Sequence, residues 1–135
     1  MNKRICIFLA FASLGLFAFT SCESDDEQLT FVESASGIIE TALPEEGQVL
    51  ETITFNVKHL GSSGCASYAR TETLHDAFDI FVTYYQQIPA EATCTDNIIT
   101  LNTAYVFVPP AVGEYTFHFK QSNSDYLEQK ITITE

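Results

Sequence analysis

The sequence predicts an all-β fold, an antiparallel β-sandwich of about seven or eight strands occupying residues 29–135. Three observations carry that expectation. Apolar and polar side chains alternate with a period of two in several blocks, as half-buried strands require. Clusters of Gly, Pro, Ser, Asn and Asp interrupt these blocks about every ten residues. No window of about a dozen residues keeps apolar side chains at the three- and four-residue spacing of an amphipathic helix.

Taken in order, LTFVES and SGIIETAL read as an opening strand or a broken pair, closed by Pro44 and the acidic turn EEG. QVLETITFNVKHL alternates along its length, with Ile53, Phe55 and Val57 on one face and Thr52, Thr54, Asn56 and Lys58 on the other. GSSG is a flexible turn running into Cys65, and a strand around ASYART follows. TETLHDAF reads as a loop or a short helix, because Leu74, Ala77 and Phe78 can share one face of a single helical turn. DIFVTYYQQ opposes Ile80, Val82 and Tyr84 to Phe81, Thr83 and Tyr85, and ends at Pro89. IITLNTAYVFV is two short strands or one long bent strand, stopped by Pro109 and Pro110, which lack the N–H of a central ladder. GEYTFHFKQ has the clearest alternation, Tyr115, Phe117 and Phe119 against Thr116, His118 and Lys120. After the turn SNSD, YLEQKITITE closes the domain with Ile131 and Ile133 inward. Phe55, Phe81, Phe107, Tyr115, Phe117 and Phe119 are thereby assigned to the core.

The segment PPAVGEYTFHF resembles the Gly-x-Tyr-x-hydrophobic approach to the penultimate strand of immunoglobulin-like sandwiches. That resemblance implies that the Tyr115 hydroxyl ties back to the corner before it. Gly113 and Tyr115 match, whereas Phe117 stands where antibody domains have their second cysteine, and the chain contains no tryptophan. The likeness is therefore one of architecture.

Ahead of the domain, Lys3 and Arg4 precede an uncharged run from Ile5 to Phe19. As a helix that run would measure about 22 Å, short of the roughly 30 Å hydrocarbon core, so it reads as a cleaved secretory signal over residues 1–21. The stretch Phe19-Thr20-Ser21-Cys22 resembles a bacterial lipobox, which implies cleavage after Ser21 and acylation of the Cys22 thiol. The next residues, Glu23, Ser24, Asp25, Asp26 and Glu27, resemble the acidic export signal of surface lipoproteins in Bacteroidota. Small lipoproteins of that group with unassigned activity are similar in carrying a Gly-Cys turn, a second cysteine and a late P-x-x-x-G-x-Y motif. These resemblances imply a lipid anchor and acidic tether over residues 22–28, outer-membrane attachment and display at the cell surface, the periplasmic face being the alternative.

Loss of Lys3 and Arg4 with the signal would take the formal charge from −12 to −14. Such a charge repels phosphate backbones and excludes nucleic acid as the expected partner. Cys6 would leave with the signal and Cys22 would be acylated, so Cys65 and Cys94 remain for one disulfide in an oxidising compartment. It would join the loop after the second main strand to the loop before the penultimate strand. The absence of a C-x-x-C spacing disfavours a zinc thiolate pair.

Little here carries catalysis. His59, His75 and His118 read as surface histidines; His75 and Asp76 are adjacent and so point to opposite faces of a strand. No serine sits in a G-x-S-x-G elbow, and no H-E-x-x-H is present. Oxygen-rich segments DDE, CTDN and SNSDYLE are candidate calcium loops, although none follows the twelve-residue EF-hand pattern. Tyr84 and Tyr85 occupy opposite faces of one strand, so one of them must face outward; Tyr68, Tyr105 or Tyr126 could join it as a stacking surface for sugars. The expected function is a non-enzymatic binding or interaction module for an unknown protein or glycan, without a required cofactor. The candidate recognition loops are GSSGC, TETLHDA, PAEATCTDN and SNSD. The alternatives are a small envelope hydrolase or protease inhibitor, or an accessory subunit of an envelope complex.

Overall fold

Nine strands build two sheets in the computed structural model, which describes residues 29–135. They are β1 (Phe31–Ser36), β2 (Ile38–Thr41), β3 (Glu46–Gln48), β4 (Ile53–Gly61), β5 (Ser67–Asp76), β6 (Asp79–Pro89), β7 (Ile99–Phe107), β8 (Gly113–Lys120) and β9 (Tyr126–Thr134). No helix is present among the described residues. A six-stranded sheet runs β1-β6-β8-β9-β3 with β5 also paired to β6, and a three-stranded sheet runs β2-β4-β7. The signal-peptide run and the residues Cys22, Glu23, Ser24, Asp25, Asp26 and Glu27 lie outside the described residues.

The periodicity of two places the core between the sheets. From the three-stranded side come Ile53, Phe55, Val57, Tyr105 and Phe107; from the other come Ile80, Val82, Tyr84, Tyr115, Phe117, Phe119, Ile131 and Ile133. Phe117 is central. Its ring meets Phe55 edge-on at 6.0 Å and Phe107 edge-on at 5.2 Å, and stacks on Phe119 at 5.5 Å. Edge-to-face packing aligns positive ring edges with negative faces, which adds to the area these rings bury.

Several expectations need correction. Among the described residues there are nine strands, the additional ones being short, and the pairing is not wholly antiparallel: β3 with β9 and β6 with β8 run parallel. Glu46 and Gly47 of the EEG segment belong to β3 rather than to a free turn, because Glu46–Gln48 lies along the open side of β9 at Thr132–Thr134. TETLHDAF is neither loop nor helix. Its Thr71–Asp76 portion pairs residue by residue with Tyr84–Asp79, so ladder formation overrides the weak helical pattern. Of the two readings of IITLNTAYVFV, the single strand holds, from Ile99 to Phe107. Phe81 belongs to the outer face, not the core, since its neighbours Ile80 and Val82 point inward. Cys94 precedes β7, the third strand from the end, rather than the penultimate strand.

Two glycines permit the close approaches. β1 leaves the larger sheet and continues as β2 in the smaller one at Gly37, where a Cβ would lie 2.5 Å from the Gln121 carbonyl oxygen. Gly113 has φ +147°, and a Cβ there would meet the Phe78 ring at 2.8 Å.

Candidate functional site

β6 sets the ends of the molecule. Its Asp79–Val82 half pairs with β8 and its Tyr84–Pro89 half with β1, whose first residue, Phe31, sits opposite Pro89. The chain therefore enters at the end marked by Pro89. At about 3.3 Å per residue, the opposite end, at the β5–β6 hairpin, is some 30–35 Å away.

At the entry end the structure joins Cys65 and Cys94 in a disulfide, with their Cα atoms 5.5 Å apart. Gly64 donates its N–H to the Thr95 carbonyl at 3.0 Å, so GSSGC and PAEATCTDN form one connected surface. Ser36 and Gly37 line shallow depressions here, one shared with Leu60, Gly61, Ser62, Gln86 and Ile98, the other with Lys120, Gln121, Ser122 and Asn123. Three of the four candidate loops thus gather at the end where the chain enters. The fourth, TETLHDA, lies mainly in β5.

The candidate tyrosines separate. Tyr84 is fully buried, which removes it as a platform for a ligand; its hydroxyl has no hydrogen-bond partner among the described residues, and burial pushes its pKa up. Tyr105 is also in the core, its hydroxyl 3.1 Å from Thr73 Oγ1 and its pKa likewise raised by burial. Tyr85 faces outward, but its ring lies under the Arg70 guanidinium at 3.8 Å and its hydroxyl donates to Glu72 at 2.8 Å. The hydrogen bond to that carboxylate raises the Tyr85 pKa. The platform it could offer is already covered by its own chain.

His59 is a second correction. It is completely buried, because it alternates inward with Phe55 and Val57. Ser36 Oγ donates to the Leu60 carbonyl at 2.5 Å and so accepts from His59 Nδ1–H at 2.7 Å. Nε2 is then the acceptor for Thr103 Oγ1 at 3.0 Å. This Ser-His contact resembles half of a hydrolytic pair, but the serine proton is committed to the backbone and both side chains are closed off from solvent.

On the outer face of the larger sheet, His118 stacks on Phe81 at 4.5 Å and sits 2.8 Å from Asp79 and 3.2 Å from Glu128. A groove of about 450 Å³ beside it is lined by Glu72, Thr73, Leu74, Phe81, Thr83 and Tyr126. Among the described residues, no group of three His, Cys, Asp or Glu side chains could hold a metal ion. Of the proposed calcium loops, SNSD closes on itself through Ser122 Oγ to Asp125 Oδ2 at 2.7 Å, and CTDN through Thr95 to Asn97. DDE is outside the described residues.

The far end has a different character. Three connections meet there: the one after β3, the β5–β6 hairpin and the β7–β8 segment. Leu50 donates its N–H to the Pro109 carbonyl at 2.9 Å, Thr116 donates to the Phe78 carbonyl at 2.9 Å, and the Phe78 ring packs 4.9 Å from Tyr115. The Tyr115 hydroxyl donates to the Ala111 carbonyl at 3.0 Å and accepts from its N–H at 3.3 Å, pinning the β7–β8 segment. These tied-down loops hold Leu50, Phe78, Val108 and Val112 exposed, Leu50 to 73 %. Leu50 and Ala77 have φ of 64° and 54°, in the left-handed region that is costly for residues with a Cβ. Sequence reasoning missed this tip. The available signal was that QVLE, DAF and VPPAV put apolar side chains into turns, where polar residues are usual.

Compared with protein-family models, curated proteins and solved structures, the chain gives no match.

Proposed function

We propose that the chain is an outer-membrane lipoprotein, anchored through acyl chains on Cys22 and carried to the cell surface by the acidic stretch Glu23–Glu27, that acts as a non-enzymatic binding module. An immunoglobulin-like architecture is part of this reading, supported by the hydroxyl of Tyr115 tying back to Ala111. The observation that carries the binding role is the exposed apolar tip of Leu50, Phe78, Val108 and Val112 at the end remote from chain entry. A tethered domain presents its remote end to partners, and exposed apolar side chains on fixed loops are what a protein interface buries. The tip is aliphatic, with one phenylalanine and no tryptophan, which favours a protein surface over a sugar ring as the partner.

The test uses a photo-crosslinking residue in place of Val112 on intact cells, with one at Glu128 on the outer sheet face as control. Val112 should give a discrete adduct with one protein, and Glu128 should not. Leu50→Asp should weaken capture about tenfold or more, with the melting temperature unchanged. Equal adducts from both positions, or capture indifferent to Leu50→Asp, would rule the tip out.

A further inference from the structure

We infer that the free edge of β5 is a docking site for a second copy of this chain, in antiparallel register about Thr73. This inference rests on β5 alone and is independent of the role proposed for the tip.

β5 has β6 as its sole strand partner among the described residues, which leaves a ten-residue strand with one unpaired edge. Such an edge offers a row of backbone donors and acceptors to any strand that can match it. The side chains then decide which strand and which register. Regular pairing with β6 covers Arg70–Asp76, and a bulge between Tyr68 and Arg70 bounds it. Within this run Arg70, Glu72, Leu74 and Asp76 share the outer face, by alternation from Arg70 opposite Tyr85 and Leu74 opposite Phe81.

A two-fold axis perpendicular to the sheet must pair outer-face residues with outer-face residues, so it passes through one residue and its own copy. Centred on Glu72, it sets that carboxylate against itself. Centred on Leu74, it sets Glu72 against Asp76. Centred on Thr71, it runs the bulge into the pairing. Centred on Thr73, it uses the whole regular run and places Arg70 opposite Asp76 at both ends. Opposite charges directly across a ladder stabilise it, and like charges oppose it, so the charges select this register.

The groups needed are open. Arg70 donates through Nε to Glu33 and through Nη1 to Glu72, leaving Nη2 without a partner among the described residues. Asp76 is exposed and has no ion pair there. Leu74, 66 % exposed, would lie diagonally across the axis from its copy, so each leucine covers the other. The net negative charge of the chain opposes association, but at physiological ionic strength it is screened beyond about 8 Å, whereas the ion pairs lie within that range. Antiparallel pairing sends the two Phe31 ends in opposite directions.

Sedimentation equilibrium of the full-length chain in detergent tests the inference. The wild type should dimerise. Asp76→Arg and Arg70→Asp each set like charges opposite one another and should weaken the dimer about tenfold or more. Mixing these two variants sets opposite charges at both ends and should restore a dimer containing one of each. Thermal melts of each variant establish that it is folded. A monomeric wild type, variants that dimerise like the wild type, or a mixture that stays monomeric would each overturn the inference.

Discussion

His59, enclosed by Ser36, Thr103 and the Tyr84 ring at 4.9 Å, shows how a polar side chain is kept in an apolar sandwich. Both ring nitrogens are partnered in the neutral form, and burial lowers the pKa below its ordinary 6.5. The unfolded chain therefore takes up a proton near pH 6.5, while the folded chain resists until lower pH. Stability is fully present above that value and falls as pH drops from it toward the folded pKa, by at most about 1.4 kcal/mol per pH unit for one proton. His59→Leu removes this titration. Urea melts at pH 7.5 and 5.5 should show a smaller acid loss for the variant than for the wild type, together with a cost of about 1–3 kcal/mol at the higher pH. Parallel losses in the two proteins would assign the acid sensitivity elsewhere.

At the level of elements, the strands were legible wherever one face is buried and the other solvated. β4, β6 and β8 alternate cleanly because each contributes to one side of the core and its other face does not. Only the start of β5, around ASYART, was legible; its continuation through Asp76 was not, since as an edge strand most of its residues are exposed and its pattern has no buried face to report. β3 was obscured for a similar reason: three residues pair with β9 and none of them is buried. The cysteine arithmetic did identify Cys65 and Cys94, which link two loops rather than two strands. Closing a loop of about thirty residues restricts the unfolded chain by roughly 3.5 kcal/mol. Cys65→Ser, or reduction of the wild type, should therefore lower the urea midpoint by a corresponding amount while leaving the far-ultraviolet spectrum of the sheets intact. A midpoint indifferent to reductant would show that the link does not constrain the chain.

For the whole molecule, the proposed function gives attachment to the entry end and binding to the tip. The disulfide-linked loops lie beside Pro89 and Phe31, where a tether would hold them near a membrane, and the apolar loops lie at the other end. The anchor itself is a chemical prediction about one thiol. Cys22→Ala should move the protein from the membrane fraction to the soluble fraction, and the wild type should incorporate labelled fatty acid where the variant does not. Retention of the variant in the membrane fraction would exclude Cys22 as the attachment point.

The sequence by itself determined what depends on neighbours along the chain. Period-two alternation specified strands, the expected loss of Cys6 and Cys22 left one cysteine pair, and the resemblance of PPAVGEYTFHF to immunoglobulin-like sandwiches implied the Tyr115 hydroxyl that reaches back four residues to Ala111. Only the tertiary structure decided what depends on residues far apart. It buried Tyr84 and His59, covered Tyr85 with Arg70, and brought Leu50, Phe78 and Val112 to one end. The physical reason is that alternation gives the face on which a side chain sits, whereas its accessibility depends on which strand packs over that face.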